Sequence, residues 1–420
     1  MQVTRLIPTF AATTTADRHR LGDPRVGELS ALGVLFAGGF VLQILWVNPD
    51  ILLPLIGSSF HTNAGNLGLV LGAFPIGYAA AAFPSGVAVL RWGHRSTLVA
   101  GLSLMGSAGG LAALSSSVSE LVALRFLCGM GGGLVFAPTV SLLSEMLSPR
   151  LRSSVIGLYV SSGLGIGGAL GFVTGAVWGP AYGWPFVFAV TGAISLLMAA
   201  LARLLLPRGN PARGAGAEVA NRVTTARILR SRSVWGLTAG FAGAAMTGSV
   251  AVAFIAAYVT TVHSTWGIGF AGLLGSVTLL ATVPGSLIGG WLSERGHDRR
   301  VVGMLFAIGF GLLAVLIPFL DQEALLAEFV VLGVLVGALL PILFAMPSYL
   351  RETQGGGTAV AVGVIETSQV FLQGASAVVF GFVVVGFGYT PAWVVFGIVA
   401  IATLPALLFV TPNRAIVSGA

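Results

Sequence analysis

Three charged side chains stand inside long apolar stretches of this sequence, where burying a charge is costly. They are Asp50, Arg125 and Glu366. A charge in an apolar interior persists mainly where it pairs, binds a ligand or carries a proton, so these residues are the first candidates for chemistry. Asp50 and Arg125 could form an ion pair for which a charged substrate competes, and Glu366 could take up and release a proton.

Each of the two carboxylates is accompanied by polar or aromatic side chains at helical spacing. The first set is Gln43, Trp46 and Asp50, and the second is Glu366, Gln369 and Gln373. In both sets the residues follow an i, i+3, i+7 course and therefore share one face of a helix. With Arg125, the sequence predicts two polar faces that line a substrate cavity, in which Asp50 and Glu366 serve proton coupling.

The chain that must position these residues is almost entirely apolar. Of its 420 residues 56% are hydrophobic and 8% are charged, whereas a soluble domain has roughly 25% charged residues. Apolar stretches of about 20 residues or more recur from Leu29 to near Val410, which indicates a polytopic membrane protein with no soluble domain. The net charge of +7 then reports orientation against the membrane and not nucleic-acid binding.

The basic residues and the cysteine exclude several classes of function. All 21 basic residues are Arg, so neither a Schiff-base lysine nor a Walker lysine is present, and no GxxxxGK[ST] stretch occurs. The single cysteine, Cys128, excludes a disulfide framework and a cysteine-based metal cluster. We therefore predict no enzymatic activity, no cofactor and no metal site, and expect any work to be driven from outside the chain.

Hydropathy predicts twelve transmembrane helices, with Gly, Pro and charged residues marking the breaks between them. They cover residues 30–56, 64–88, 97–115, 119–146, 153–178, 184–206, 233–261, 268–290, 301–320, 324–349, 358–386 and 390–411. The predicted parts are a tail (1–28), a six-helix half (29–206), a basic linker (207–232), a second six-helix half (233–411) and a short tail (412–420). An unpaired backbone amide in hydrocarbon costs several kcal/mol, so the predicted fold is all-α.

The arginines fall on one side of this map. Apart from Arg125, they lie before the first span, in or beside even-numbered connections, or after the last span, and the odd-numbered connections contain none. The positive-inside bias therefore places both termini and the 207–232 linker in the cytoplasm, with the chain in the inner membrane.

The two halves carry similar loops about 200 residues apart. The second connection contains Gly86, Arg91, Gly93 and Arg95, and the eighth contains Gly290, Glu294 and Arg295. Six plus six spans with a repeated loop are typical of an internally duplicated transporter, whose substrate site lies between the halves near the midplane. We expect these loops to take part in gating.

The order and spacing of these features resemble the major facilitator superfamily, over roughly residues 29 to 411. The second connection is similar to that family's signature G-x-x-x-D-R-x-G-[RK]-[RK], but Leu90 stands at the Asp and His94 at one basic residue. In the family that Asp helps to latch the cytoplasmic side between the halves. The resemblance implies that the latch is altered here or is carried by Glu294.

Two further spans resemble the same family. The run from Arg125 through Cys128 to Gly131 is similar to R-x-x-[Q]-G-x-G, with Cys128 where Gln is common. The fifth span resembles the antiporter stretch ending G-P-x-x-G-G, with Phe172 at the Pro and Ala176 at the last Gly. The resemblance implies twelve helices in two pseudo-symmetric halves, transport by alternating access and, through the fifth span, antiport.

Glycines recur every four residues in the fifth span, at Gly163, Gly167, Gly171 and Gly175. This spacing makes a smooth stripe on which another backbone can approach closely. The stripe serves either fixed helix packing or a sliding surface between moving halves.

We therefore expect a secondary transporter of a small organic solute, with protons as the coupling ion. Efflux by antiport is favoured, and proton-coupled uptake of an organic anion bound at Arg125 is the alternative. An alternative of another class is a transport-inactive sensor or scaffold on the same fold. The expected partners are the substrate, the coupling proton and the lipid bilayer, with no nucleic acid, and the expected state is a monomer.

Overall fold

The computed structural model describes residues 24–147, 149–207, 225–294, 299–353 and 357–410. Within these ranges, twelve helices are long and apolar enough to cross a membrane, which confirms the predicted all-α fold. The 1–23 part of the predicted N-terminal tail, residues 208–224 of the linker and the tail at 412–420 lie outside the described residues.

The membrane-spanning helices are numbered α1 to α12 in chain order. In the first half they are α1 (Pro24–Phe60), α2 (Ala64–Trp92), α3 (His94–Leu111), α4 (Val118–Met146), α5 (Pro149–Ser162, continued by Gly163–Gly167 and Gly168–Tyr182) and α6 (Trp184–Leu205). In the second half they are α7 (Arg232–Ala253, continued by Ile255–Val262), α8 (Gly267–Glu294), α9 (Arg299–Leu316), α10 (Gln322–Ala345), α11 (Thr358–Phe387) and α12 (Tyr389–Ala402, continued by Leu404–Phe409).

Several helix junctions follow directly from local sequence. The side chain of Asn63 accepts a hydrogen bond from the Asn66 amide at the start of α2, and Asp321 caps α10 in the same way, which satisfies amides that have no helical partner. Gly183, between α5 and α6, and Gly388, between α11 and α12, have φ of 84° and 85°. Only glycine adopts this conformation without strain, and the equivalent placement of the two residues reflects the internal duplication.

The hydrophobic core divides differently at the two ends of the bundle. We call the end that carries the arginine-bearing connections the arginine-rich end and the opposite one the arginine-poor end. At the arginine-poor end, one buried cluster combines both halves and includes Ile51 of α1, Phe172 of α5 and Phe254 of α7. At the arginine-rich end, one cluster belongs to the first half except for Val370, and another belongs to the second half alone. The halves are therefore joined at the arginine-poor end and separate at the arginine-rich end.

Two helix pairs form the seams between the halves. Along α2 and α11, a Cβ atom added to Gly68 would lie 2.5 Å from the Ala377 carbonyl oxygen, and one added to Gly72 would collide with the Gly374 carbonyl oxygen. A side chain larger than hydrogen at Gly72 would thus push the two backbones apart, so glycine is required for this close approach.

The second seam joins α5 to α8. The hydroxyl oxygens of Ser161 and Ser286 lie 3.1 Å apart, and nearer the arginine-poor end the Phe172 ring fills the space above Gly275. Phe172, which replaces the proline of the antiporter pattern, is fully buried. It serves here as a packing residue between the halves.

The glycine stripe of α5 faces α1, within the first half. A Cβ atom on Gly167 would lie 2.8 Å from the Phe40 Cα atom, and one on Gly171 would lie 2.5 Å from the Val47 Cγ2 atom. Gly163 and Gly175 also have their nearest atoms in α1. This position favours fixed packing, since the seam with α8 uses the opposite face of α5, at Gly165 and Gly168.

Candidate functional site

Arg125 of α4 is a buried cation that contacts the backbone of α1. Its Nη1 atom donates a hydrogen bond of 2.7 Å to the Leu45 carbonyl oxygen, and Nη2 donates one of 3.1 Å to the Trp46 carbonyl oxygen. The guanidinium carbon lies 4.6 Å from the centre of the Phe74 ring, within the range of a cation–π contact. Arg125 therefore joins α4, α1 and α2.

Pro49 explains why Arg125 is drawn to this point of α1. In an α-helix the Leu45 carbonyl would accept a hydrogen bond from the amide of residue 49, but Pro49 has no amide hydrogen. A carbonyl buried without a donor costs free energy comparable to a lost hydrogen bond, and the guanidinium supplies that donor. Sequence reasoning missed this contact, although a proline within a membrane helix signals an unpaired carbonyl four residues earlier.

The predicted ion pair between Asp50 and Arg125 is wrong for this conformation. Both side chains are buried, yet the ion pairs within 4.0 Å of the described residues do not include them. The physical reason is that the guanidinium is held by the carbonyls of Leu45 and Trp46, about one turn before Asp50. Burial of two opposite charges in the same half does not decide which acceptor an arginine takes.

Glu366 of α11 contacts the opposite half through Tyr78 of α2. The Tyr78 hydroxyl lies 3.5 Å from the Glu366 Oε1 atom, which is the long limit of a hydrogen bond. Tyr78 is buried and its ring centre lies 5.5 Å from that of Trp46, which lies 5.2 Å from that of Phe74. An aromatic wall formed by Trp46, Phe74 and Tyr78 thus leads from α1 to the carboxylate of α11.

The glutamines assigned to the cavity take different positions. Gln369 is buried, and its Nε2 atom donates a 2.9 Å hydrogen bond to the Thr238 carbonyl oxygen of α7. It holds two helices of the second half together, which corrects its assignment as a cavity residue. Gln43 and Gln373 are partly exposed, and Gln43 lies against Gly167 of α5.

Comparison with known families decides the class of this chain. The model of the Major Facilitator Superfamily matches residues 35–371, a range that contains Asp50, Arg125, Tyr78 and Glu366. The chain belongs to the Major Facilitator Superfamily.

Several curated relatives within the superfamily are named as transporters of organic anions. The chain is 25% identical over 343 residues to the 4-hydroxybenzoate transporter PcaK of Pseudomonas aeruginosa, covering 73% of this chain and 76% of that protein. It is 31% identical over 175 residues to the hexuronate transporter of Bacillus subtilis, covering 41% of each. It is 25% identical over 328 residues to a gallate transporter of Pseudomonas putida, covering 70% of this chain and 71% of that one.

Solved structures support the fold. A bacterial homologue of the human lysosomal transporter Spinster, in an inward-facing and unoccupied conformation, superposes with a TM-score of 0.69 at 19% identity. The match covers 91% of this chain and 95% of that one.

The superfamily's signature loop is tied to its own half in this structure. Gly93 has φ of 79° and links α2 to α3, and the Nε2 atom of His94 lies 2.8 Å from the Ser141 hydroxyl and 3.4 Å from a Glu145 carboxylate oxygen, both on α4. Arg95 donates a 3.3 Å hydrogen bond to the Leu206 carbonyl oxygen. His94, which departs from the superfamily's basic residue, thus binds the loop to α4.

The remaining gating residues make few described contacts. Arg91 and Leu90 are exposed at the arginine-rich end, and Gly86 and Gly290 have open space where a Cβ atom would stand. Arg295 and the side chain of Glu294 lie outside the described residues. A latch through Glu294 therefore stays a prediction.

Glu328 of α10 is a buried carboxylate that the sequence analysis did not single out. Its side chain is 5% exposed, and neither carboxylate oxygen has a hydrogen-bond partner among the described residues. Glu328 lies two turns into α10 between the core residues Leu325 and Phe329.

Proposed function

We propose that this secondary transporter carries a small organic anion, with proton uptake and release at Glu366 as the coupling step. The observation that carries the proposal is the contact between Tyr78 and Glu366, because it places a titratable group at the boundary of the two halves. The names of relatives that transport 4-hydroxybenzoate, gallate and hexuronate support an anionic substrate.

The charge of Arg125 supports an anionic substrate independently. Two backbone carbonyls satisfy hydrogen bonds of its guanidinium, but they do not neutralise a full positive charge. No carboxylate pairs with Arg125 within 4.0 Å among the described residues, but the buried Asp50 carboxylate attracts Arg125 through space when it is ionised. With Asp50 protonated, the first half would retain positive potential next to the aromatic wall. An aromatic carboxylate would match both features, with its ring against Trp46 and Tyr78.

Proton binding at Glu366 can be coupled to movement of α2 relative to α11, because it changes how strongly the carboxylate attracts the Tyr78 hydroxyl. When ionised, the carboxylate attracts the hydrogen of the Tyr78 hydroxyl across the 3.5 Å contact more strongly than the neutral acid does. Protonation removes the charge and weakens the link between α2 and α11. A proton at Glu366 would therefore bias the equilibrium between conformations in which these helices are joined or separated.

The arginine-rich end is proposed to face the cytoplasm of a bacterial inner membrane, as the positive-inside bias predicts. With that orientation, the joined core at the arginine-poor end and the separate cores at the other end correspond to an inward-facing state. Substrate would then reach Trp46 and Tyr78 from the cytoplasm in this conformation.

Export by antiport is the second candidate, and one feature of α5 favours it. The segment Gly163–Gly167 is a π-helical turn within the stretch that is similar to the antiporter pattern, and it contacts both α1 and α8. Such turns are frequent at functional sites. A bend at this turn could move the α8 seam relative to α1.

Transport into proteoliposomes tests the proposal and separates its two forms. Purified protein is reconstituted and supplied with radiolabelled 4-hydroxybenzoate, gallate or galacturonate, under an imposed pH gradient of either sign. Symport predicts accumulation when the outside is acidic, and antiport predicts accumulation when the inside is acidic. A protonophore should abolish either effect. If every transported solute accumulates to the same level with and without a pH gradient, proton coupling is refuted.

A further inference from the structure

A basic pocket lies at the arginine-rich end of the second half, away from Glu366. It has a volume of about 570 Å³ and is formed by the helical segment 225–229, the start of α7 and the last turn of α12. Three arginines line it, namely Arg227, Arg230 and Arg232. The buried side chain of Ile228 packs in the core of the second half, so the segment that carries Arg227 and leads into Arg230 is docked onto that half.

The pocket carries an excess of positive charge. Against its three arginines stands the carboxylate of Glu352, which accepts a 3.0 Å hydrogen bond from the Ser233 hydroxyl. The formal charge of the lining is thus three minus one, or +2. Guanidinium groups match the geometry of phosphate oxygens through paired hydrogen bonds, so the lining is suited to a phosphate ester.

The rim of the pocket is apolar and exposed. Leu408 and Phe409, which also line the pocket, are 78% and 66% exposed. On the other side of the segment, the Trp235 indole nitrogen donates a 2.8 Å hydrogen bond to the Leu229 carbonyl oxygen, and both of these side chains are exposed. Aromatic and basic side chains at the end of membrane helices are typical of the interface between hydrocarbon and water.

We propose that this pocket binds the head group of an anionic phospholipid, with an acyl chain lying against Leu408 and Phe409. A free phosphate ion would use the arginines but would make no use of the apolar rim. A lipid satisfies both parts, because basic pockets between membrane helices on the cytoplasmic side bind anionic head groups. Bound lipid would fix segment 225–229, which lies in the linker between the halves, at the membrane surface.

Lipid retention measured by mass spectrometry of the intact protein tests this site. The full chain is purified in detergent and mixed with phosphatidylglycerol or with phosphatidylcholine of the same acyl chains. We expect retention of phosphatidylglycerol, and a loss of about 30-fold in its affinity when Arg230→Gln and Arg232→Gln are combined. The double change Arg91→Gln with Arg203→Gln removes two exposed charges at the same end of the first half and should leave that affinity within about twofold.

Two further arms identify the source of the phosphate group. Leu408→Ser with Phe409→Ser alters exposed side chains and should weaken phosphatidylglycerol binding while the protein stays folded by circular dichroism. Inorganic phosphate at millimolar concentration should fail to displace the lipid. Equal retention of both lipids, equal loss in the two arginine double variants, or displacement by inorganic phosphate with no effect of the serine changes would each overturn the proposal.

Discussion

Tyr78 of α2 donates its hydroxyl hydrogen to Glu366 of α11, and this 3.5 Å contact links the two halves through polar side chains. The tyrosine is part of an aromatic wall with Trp46. The carboxylate is therefore placed where a change in its charge acts both on the contact between the halves and on the face offered to a substrate.

Removing the Tyr78 hydroxyl should change the pH response of transport more than it changes folding. Tyr78→Phe keeps the ring against Trp46 but leaves the ionised Glu366 carboxylate without this donor. We expect the pH dependence of transport to change while the protein stays folded, because the hydroxyl that faces the Glu366 carboxylate is gone. The measurement is the initial rate of uptake between pH 5 and 9.

The control is Tyr182→Phe, since Tyr182 is exposed near the end of α5 and far from the boundary at Glu366. It should leave the pH profile unchanged. A Tyr78→Phe profile that coincides with wild type would show that the hydroxyl has no part in proton binding.

The contact of Arg125 with the Leu45 carbonyl predicts a specific rescue. Arg125→Ala strands that carbonyl and should lower the free energy of unfolding by about 1–3 kcal/mol. Pro49→Ala restores an amide donor in α1 and should recover part of the loss. A double-mutant cycle, measured by unfolding in mixed micelles of increasing SDS, should give a coupling of about 0.5–3 kcal/mol between residues 49 and 125.

A second double-mutant cycle distinguishes the contacts of Arg125 with backbone carbonyls from an ion pair with Asp50. Asp50→Asn combined with Arg125→Ala should be closer to additive in stability, because the two side chains form no pair within 4.0 Å. Strong coupling at Asp50 together with additivity at Pro49 would restore the ion pair and remove the proposed role of the carbonyls.

The close approach of α2 and α11 predicts that a larger residue opens the arginine-poor end. Gly72→Val would force the Gly374 carbonyl away, so the state joined at that end should become less populated. The reporter is maleimide labelling of a cysteine introduced at Ile51, which is fully buried in the shared core, in a Cys128→Ser background. We expect faster labelling in the Gly72→Val protein.

The matched control for this prediction is Gly386→Val. Gly386 also lies on α11, but a Cβ atom there meets nothing within 4 Å, so labelling should stay slow. Slow labelling in both proteins would mean that the seam at Gly72 does not limit opening.

The orientation of the chain is tested by protease accessibility in intact cells. Tags at both termini and after Arg213 should be protected from external protease, because arginine-rich segments stay in the cytoplasm. A tag inserted after Thr62, in the connection between α1 and α2, should be cleaved and shows that the protease is active. Cleavage after Arg213 in unbroken cells is incompatible with the proposed orientation.

The sequence was sufficient for the number and order of the helices. Each span needs about 20 apolar residues. A stretch of this length is recognised as a span even when its predicted ends are wrong by a few residues. The helices in fact extend further than predicted in places, as α1 does by beginning at Pro24 and ending at Phe60. Charged residues mark where a chain leaves the membrane, but they do not fix where a helix ends.

The side-chain partners were less predictable, because they depend on how each helix is rotated. Gln369 shares a helical face with Glu366 by spacing, yet its amide contacts Thr238 of α7 while Glu366 contacts Tyr78 of α2. Those two partners belong to different halves, and no one-dimensional pattern records which neighbour lies on which side. The Arg125 contact could have been predicted, since Pro49 signals an unpaired carbonyl at Leu45.

The most direct test of the central claim is gradient-driven transport by Glu366→Gln in proteoliposomes. The amide keeps the size of the carboxylate but cannot exchange a proton at neutral pH. We expect Glu366→Gln to lose accumulation driven by a pH gradient while it still exchanges labelled for unlabelled substrate across the membrane. Glu323→Gln, at an exposed position in the first turn of α10, should behave as wild type in both assays. Accumulation by Glu366→Gln equal to that of wild type would contradict the assignment of Glu366 as the coupling residue.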